Sequence, residues 1–194
     1  FMSVEKDEDF ELITSLWAKM NESLVQCSMK RLKEPKFLLR ALALAESSTN
    51  TELMDEDSPL VAGEPATKVR AEKITYEKLT KFWGERLNPP KSAIGLTAKL
   101  DPVDFMKNLV EASQWLHAFS KDSTPEMLNL KELYFTRFLK SVQHYPMLIA
   151  GRNIQDKKVL ELLVRQVHNR TAFYLLSDER TQEFESMVPR WTAA

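Results

Sequence analysis

The sequence predicts an all-α fold, a helical bundle of about seven helices. Apolar residues recur at spacings of three and four along almost the whole chain, which is the period of an amphipathic helix. The 194 residues include only four glycines, and no useful stretch alternates apolar and polar residues as a half-buried strand does. A chain of this length, 43% hydrophobic and 28% charged, can bury one compact core without disulfides or metals.

The net charge limits the classes of partner, and the cysteine content bears on the compartment in which the protein works. The 27 basic and 28 acidic residues give a net charge of −1, so no overall field attracts nucleic acid or an anionic membrane. Cys27 is the single cysteine, which fits a reducing compartment. No apolar run approaches the ~20 residues that cross a bilayer. Because Phe1 is an unusual natural start, we expect a processed chain, and the missing apolar leader carries little weight.

Residues 1–46 are predicted to hold two N-terminal helices. The first covers 6–33 and ends before Pro35, which cannot continue a helix. The second is short and apolar over most of its surface, from Phe37 to Leu44, so we expect it to be buried. The apolar stripe of the first helix consists of Phe10, Ile13, Trp17, Met20, Leu24 and Cys27.

Residues 47–69 are predicted to form an acidic loop or linker. The segment is rich in turn-forming residues, and it carries Glu52, Asp55, Glu56 and Asp57 close together. A loop of this length is either functional or a boundary between helical units. Residues 70–194 are then predicted as the main helical bundle, with the whole chain forming one compact unit.

The bundle begins with a helix over 70–87 that contains Trp83 and stops at the prolines of the turn 88–92. A short apolar helix with Leu96 and Leu100 follows. Asp101 before Pro102 is a strong start signal, because aspartate caps a helix and proline suits its first position. The next helix has an inward stripe of Phe105, Leu109, Ala112, Leu116 and Phe119.

Two further helices and a last helical segment are predicted towards the C-terminus. One starts at Thr124 and is expected to end at Pro146. Asn153 is expected to cap a second, which covers about 153–170. The last segment, from Ala172 onwards, is predicted as two short helices broken near Ser177. The solvent side of the second helix is basic, with Lys157, Lys158, Arg165 and Arg170.

No motif for catalysis, metal or cofactor binding stands in the sequence. His117, His144 and His168 have no second ligand at a metal-binding spacing, and we expect ordinary surface or boundary histidines. Glycine-rich phosphate loops and the serine and zinc hydrolase motifs are missing. Cys27 lies on an apolar stripe and is expected to pack as a small hydrophobe. The sequence therefore predicts no cofactor, no metal and no enzyme activity.

Two stretches are candidate binding sites. The run Asp7-Glu8-Asp9-Phe10-Glu11-Leu12-Ile13 has the acidic-aromatic-x-x-aliphatic pattern of peptides that add a strand to autophagy adaptors, with Phe10 and Ile13 as anchors. The alternative is the first turn of a helix with acids near its positive end. The basic helix, through Lys157, Lys158 and Arg165, could contact phosphate or protein, and the alternative is a solvated face.

The order of features from Trp83 to Phe119 resembles the WY domain of oomycete RxLR virulence effectors. The resemblance rests on Trp83, the proline turn 88–92, Leu96 with Leu100, and the run Trp115–Phe119. It implies a WY-like core at about 70–145, flanked by further helices. Trp115 or Phe119 replaces the family's tyrosine, or Tyr134 supplies it later, and the RxLR and dEER leader motifs are missing, as expected of a trimmed chain.

The resemblance implies a function as well as a fold. Members of that family are secreted by the pathogen, enter plant cells, and bind and perturb host proteins without catalysis. The binding residues do not carry over, because the surfaces of the family diverge around a common core. Two other classes stay open: an intracellular helical adaptor or assembly subunit that docks through the acidic loop or the basic helix, and a helical-bundle enzyme.

Overall fold

The computed structural model describes residues 7–46, 76–89, 99–121, 141–176 and Val188. Within these residues every regular element is helical and no strand occurs, which confirms the all-α class. Six α-helices stand there, where about seven were predicted for the whole chain. They are α1 (Asp7–Val25), α2 (Pro35–Glu46), α3 (Tyr76–Leu87), α4 (Pro102–Lys121), α5 (Tyr145–Ala150) and α6 (Lys157–Leu176). The predicted loop 47–69, the turn 90–92, the short helix around Leu96 and the helix after Thr124 lie outside the described residues.

Among the described helices, the most extensive contact joins α1 and α4. Ile13, Met20 and Leu24 of α1 are buried in the core. The C-terminal ends of the two helices meet, where the Ser28 N–H donates to Ser120 Oγ over 3.3 Å. All members of the stripe predicted for α4 are buried: Phe105, Leu109, Ala112, Leu116 and Phe119.

The start of α4 follows the predicted signal. Asp101 Oδ1 accepts hydrogen bonds from the Val103 N–H at 2.9 Å and the Asp104 N–H at 3.0 Å. These contacts satisfy two of the backbone donors that a helix leaves without partners at its first turn. Pro102 occupies the first helical position, where its missing N–H costs nothing.

Trp83 connects α3 to two other helices. Its side chain is 5% exposed and packs against Phe105 of α4 with ring centroids 4.8 Å apart. Its indole N–H donates to the Leu39 carbonyl of α2 over 3.2 Å. Leu100 is half-buried against the same core. Trp115 is also half-buried and stacks on the buried Phe119 at 5.4 Å.

Two expectations about the first helix are wrong. α1 ends at Val25, and a separate 3₁₀ helix covers Lys30–Lys33, where one helix over 6–33 was predicted. No glycine or proline breaks the helix there; the break lets Leu32 enter the core and Ser28 reach Ser120. Phe10 and Trp17, predicted on the buried stripe, are 63% and 46% exposed. The buried stripe of Ile13, Met20 and Leu24 centres about 50° away from them on the helix circumference.

Three boundaries near the C-terminus also differ from the prediction. Pro146 lies in the first turn of α5, a position that proline favours, and does not end a helix. Asp156 caps α6 in place of Asn153, because its Oδ1 accepts from the Lys158 N–H at 2.8 Å. Residues 151–153 form a 3₁₀ turn. α6 continues past the predicted extent of about 153–170, through Ala172 to Leu176, and the break predicted near Ser177 lies outside the described residues.

Candidate protein-binding surfaces

α6 carries apolar side chains on two opposite faces. The inner face is buried against the core through Leu160, Val164, Val167 and Thr171. The outer face lies about 160° away on the helix circumference. Large apolar residues on that face are 48–81% exposed: Val159, Leu162, Phe173 and Leu176. Exposed apolar residues gathered on one face are typical of a surface that a partner covers.

The predicted cations of α6 do not form one patch. Lys157 lies at 3.9 Å from Glu161 in an exposed pair between adjacent turns, which contributes little stability. Lys158 and Arg165 are exposed along one edge of the outer apolar face, and Arg170 is exposed along the other edge. The positive charge therefore borders the apolar residues of the outer face.

A second exposed strip lies on α1. Phe10 and Trp17 occupy it together with Thr14 and Asn21, and Val25 extends it at 64% exposure. Thr14 Oγ1 donates to the Phe10 carbonyl and Asn21 Nδ2 to the Trp17 carbonyl, both over 2.9 Å. Because these bonds satisfy the polar groups on their own helix, and none of the five side chains is charged, the strip presents a mostly apolar surface.

The two residues of the acidic-aromatic motif point in different directions. Phe10 is exposed, whereas Ile13 is 9% exposed and belongs to the core. Both lie within α1, whose backbone hydrogen bonds are made inside the helix. Binding as an added strand would require the start of α1 to unwind and Ile13 to leave the core.

A partly buried polar cluster connects α2, α4 and the turn after α5. Arg152 is 9% exposed, and its Nη2 lies 3.0 Å from Asn108 Oδ1 and 3.5 Å from Glu46 Oε1. Asn108 Nδ2 donates to the same Glu46 oxygen over 2.7 Å, and Arg152 Nη1 donates to the Ile149 carbonyl over 3.1 Å. Each side chain contacts the other two, so the cluster fixes the positions of these elements relative to one another.

His144 is fully buried, which corrects the expectation of a surface or boundary histidine. It immediately precedes α5, whose residues Tyr145–Ile149 are all buried, and so it enters the core with them. Neither ring nitrogen has a hydrogen-bond partner within the described part of the chain. Burial, and secondarily the nearby His168, lowers the pKa of His144 to about 3. The side chain is therefore neutral at physiological pH.

One small cleft opens between α2 and α5. Its volume is about 40 Å³, which is room for about one water molecule and far below a ligand-sized pocket. The cleft is lined by Phe37, Arg40, Leu44, Gln143, Pro146 and Val188.

Cys27 is buried at 2% exposure, and its Sγ lies 3.7 Å from the Ser23 carbonyl. Burial raises the pKa of the thiol, against a smaller opposing effect of Ser120. A protonated, buried thiol packs as a small hydrophobe, as predicted. In the described ranges no three His, Cys, Asp or Glu side chains come together as metal ligands, and no helix is long and apolar enough to span a membrane.

The outer apolar face of α6 was missed by sequence reasoning. The spacing of its residues is visible in the sequence. The helix predicted there ended near Arg170, however, so Phe173 and Leu176 were not assigned to the same helix face. The cluster of Glu46, Asn108 and Arg152 had no local signal, since its members are far apart in the chain.

Comparison with known proteins finds no significant match: no family model, no curated protein and no solved structure matches the chain. The resemblance of Trp83 to Phe119 to the WY domain therefore stays a prediction that rests on the quoted residues.

Proposed function

We propose that this chain is a non-catalytic helical protein-binding module and works as a secreted virulence effector inside host plant cells. In this role it binds a host protein and perturbs that protein's activity. The resemblance to the WY-domain family supports the cellular setting. The observation that supports a binding role is the outer face of α6, where apolar side chains remain exposed on a helix that already buries its inner face.

A rigid scaffold is what such a binding role needs. Trp83 connects α3 to α2 by a hydrogen bond and to α4 by a ring contact. Arg152 connects the turn after α5 to α4 by a hydrogen bond and to α2 by an ion pair. These contacts hold the helices independently of the side chains on the outer face of α6. The outer face can therefore change in sequence while the core stays the same, which is the behaviour that the family resemblance implies.

The test has two parts. Proximity labelling with the chain expressed in plant leaf cells should enrich a host protein, and the purified host protein should form a stable complex with the purified chain. The activity or location of that host protein should change when the chain is present. A host protein that shows no direct binding after purification would contradict the binding role.

The sequence of the native precursor distinguishes the effector hypothesis from the hypothesis of an intracellular adaptor with the same binding surface. The effector proposal expects the native precursor to encode a secretory leader ahead of these residues. A precursor without a leader, together with a stable partner from the producing organism's own cytosol, would favour the adaptor. A purified chain that turns over a small molecule would favour a helical-bundle enzyme over both.

A further inference from the structure

The outer face of α6 has the residue spacing of one helix of a coiled coil. Its positions are separated by three, four, three, four and three residues, and all are exposed: Val159, Leu162, Gln166, Asn169, Phe173 and Leu176. Alternating intervals of three and four place these side chains at the a and d positions of a heptad repeat. The face is about 25 Å long at the rise of an α-helix.

The charged side chains at the positions of α6 that border this face are all positive, and the other two border positions are Leu163 and Ala172. In the same repeat Lys158 and Arg165 fall at g positions and Arg170 at an e position, and all three are exposed. Lys157 and Glu161, which pair with each other, fall at f and c positions away from the a and d residues. The flanks of a coiled coil formed here would therefore be positive on the α6 side.

A second copy of α6 fits this face poorly. In a parallel pair Arg165 of one copy would face Arg170 of the other across the contact, and like charges at such positions disfavour pairing. The polar pair Gln166 and Asn169 sits in the middle of the face, where polar a and d residues restrict register and partner choice at some loss of stability. The pattern therefore disfavours the pairing of two copies of α6 and favours the pairing of α6 with a helix of a different sequence.

We propose that the outer face of α6 binds one amphipathic helix of a partner protein, with apolar residues at its a and d positions and acidic residues at its e and g positions. The inference rests on the proposed binding function and names the class of partner. Charge complementarity to Lys158, Arg165 and Arg170 selects this occupant. Since α6 is already folded on the core, its backbone adds no ordering cost to those that oppose binding.

The strip on α1 provides the internal comparison. It is as exposed as the face of α6 and has aromatic residues, but within Asp7–Val25 no row of cations borders it. An acidic helix that bound only through non-specific apolar contacts would bind to both surfaces. One that recognises the heptad and its positive flanks would use only α6.

The experiment uses the full chain and two synthetic amphipathic peptides of about three heptads. Both peptides have leucine or isoleucine at a and d, with one polar residue at a central a and a central d position. The first has glutamate at every e and g position, and the second has lysine there. Fluorescence anisotropy at low salt should show that the acidic peptide binds at least about tenfold more tightly, because several opposite-charge pairs replace like-charge pairs.

Three variants locate the contact. Leu162→Asp with Phe173→Asp should abolish binding of the acidic peptide, whereas the matched control Phe10→Asp with Val25→Asp on the α1 strip should bind as the unchanged chain does. Arg165→Glu with Arg170→Glu should reverse the preference in favour of the lysine peptide. Circular dichroism and thermal unfolding verify that each variant is folded, which is expected because every substituted side chain is exposed.

Several results would overturn the proposal: no binding of either peptide, equal binding of both, loss of binding in the α1 control, or an unchanged preference after charge reversal. Self-association in sedimentation that Leu162→Asp with Phe173→Asp abolishes would identify a second copy as the occupant instead. A reconstituted host partner that binds this variant normally would refute the α6 site and leave the binding function intact. Peptide binding without any host partner would refute the proposed function instead.

Discussion

Trp83 donates its indole N–H to the main-chain carbonyl of Leu39, and this bond of 3.2 Å fixes α3 against α2. The ring also packs on Phe82 at 5.0 Å and on Phe105 at 4.8 Å. One side chain thus contributes apolar burial to two helices and satisfies its polar atom in the interior. Buried tryptophans are stable in a core only when the N–H finds such an acceptor.

Trp83→Ala should destabilise the fold by about 3–5 kcal/mol, the usual loss when a buried aromatic leaves a cavity. Trp83→Phe should lose less, about 1–2 kcal/mol, because the ring stays and the hydrogen bond goes. Urea unfolding followed by circular dichroism measures both. The matched control is Trp17→Ala, which removes an exposed ring and should change stability by under about 1 kcal/mol. Equal losses at both positions would contradict the core role of Trp83.

Sequence signals from neighbouring residues predicted the start and the buried face of α4, but they could not predict which face of α1 is buried. Asp101 and Pro102 mark the start of α4, and its stripe from Phe105 to Phe119 follows one helical period, so neighbouring residues alone determine the helix. On α1 two apolar strips lie side by side. The one that is buried depends on where α4 packs, which is tertiary information, and Phe10 and Trp17 therefore fall outside the core.

The candidate surface shows the same division between local and long-range information. The heptad spacing on α6 is local, and it becomes visible once the helix is known to reach Leu176. The burial of His144 is not local, because it depends on the surroundings of α5. The contact of Arg152 with Glu46 joins the turn after α5 to the end of α2, and no spacing rule connects them.

Arg152→Met should destabilise the fold by about 2–3 kcal/mol. The substitution keeps an unbranched stem as long as the arginine side chain up to Nε, and it leaves the Glu46 carboxylate and Asn108 Oδ1 without their cation. Breaking a fully buried pair costs about 3–5 kcal/mol, and the loss is smaller here because the Glu46 side chain is 28% exposed. Urea unfolding measures the change, and Lys158→Met, which removes an exposed cation, should stay within about 0.5 kcal/mol.

A double-mutant cycle with Glu46→Gln tests whether Arg152 and Glu46 act together. Glutamine keeps an acceptor for Asn108 Nδ2 and removes the charge that faces Arg152. The two substitutions should be non-additive by about 0.5–3 kcal/mol, the usual range for residues in one network. Strict additivity would mean that the 3.5 Å contact contributes nothing.

Acid should destabilise the protein through His144. The pKa of this histidine is about 3 in the folded chain against 6.5 when unperturbed, so the unfolded chain binds a proton that the native state excludes. The contribution of neutral His144 to the free energy of unfolding is therefore fully present above about pH 6.5. It is lost as the pH drops from there towards about 3. Between pH 7 and pH 5 we expect a loss of about 2 kcal/mol, from about 1.4 kcal/mol per pH unit below the unfolded pKa.

His144→Leu should remove most of this pH dependence, and at pH 7 it should be neutral or stabilising, because it replaces a buried ring without hydrogen-bond partners by an apolar side chain. Urea unfolding at the two pH values measures it. His117→Asn is the control, since burial lowers the pKa of His117 as well but the residue is only half-buried. A variant at position 144 that loses as much stability at pH 5 as the unchanged chain would refute the assignment.

Gly84 and Gly151 should respond in opposite directions to alanine. Gly84 is exposed within α3, and a Cβ built there meets nothing within 4 Å. Gly84→Ala should therefore stabilise the fold by about 0.5–1 kcal/mol, because alanine restricts the unfolded chain and favours the helix. Thermal unfolding should show a higher midpoint.

Gly151 ends α5 in a right-handed conformation, with φ −78°, so the backbone itself tolerates any residue. A Cβ at this position would collide with Leu163 Cδ2 and touch Ile154 and Leu160. Gly151→Ala must move Leu163 to relieve the overlap, and we expect a loss of about 1–3 kcal/mol, typical of overpacking. In Gly151→Ala combined with Leu163→Ala the collision disappears, so the double variant should lose less than the sum of the two single losses. Additive losses would show that close packing against Leu163 does not explain the glycine.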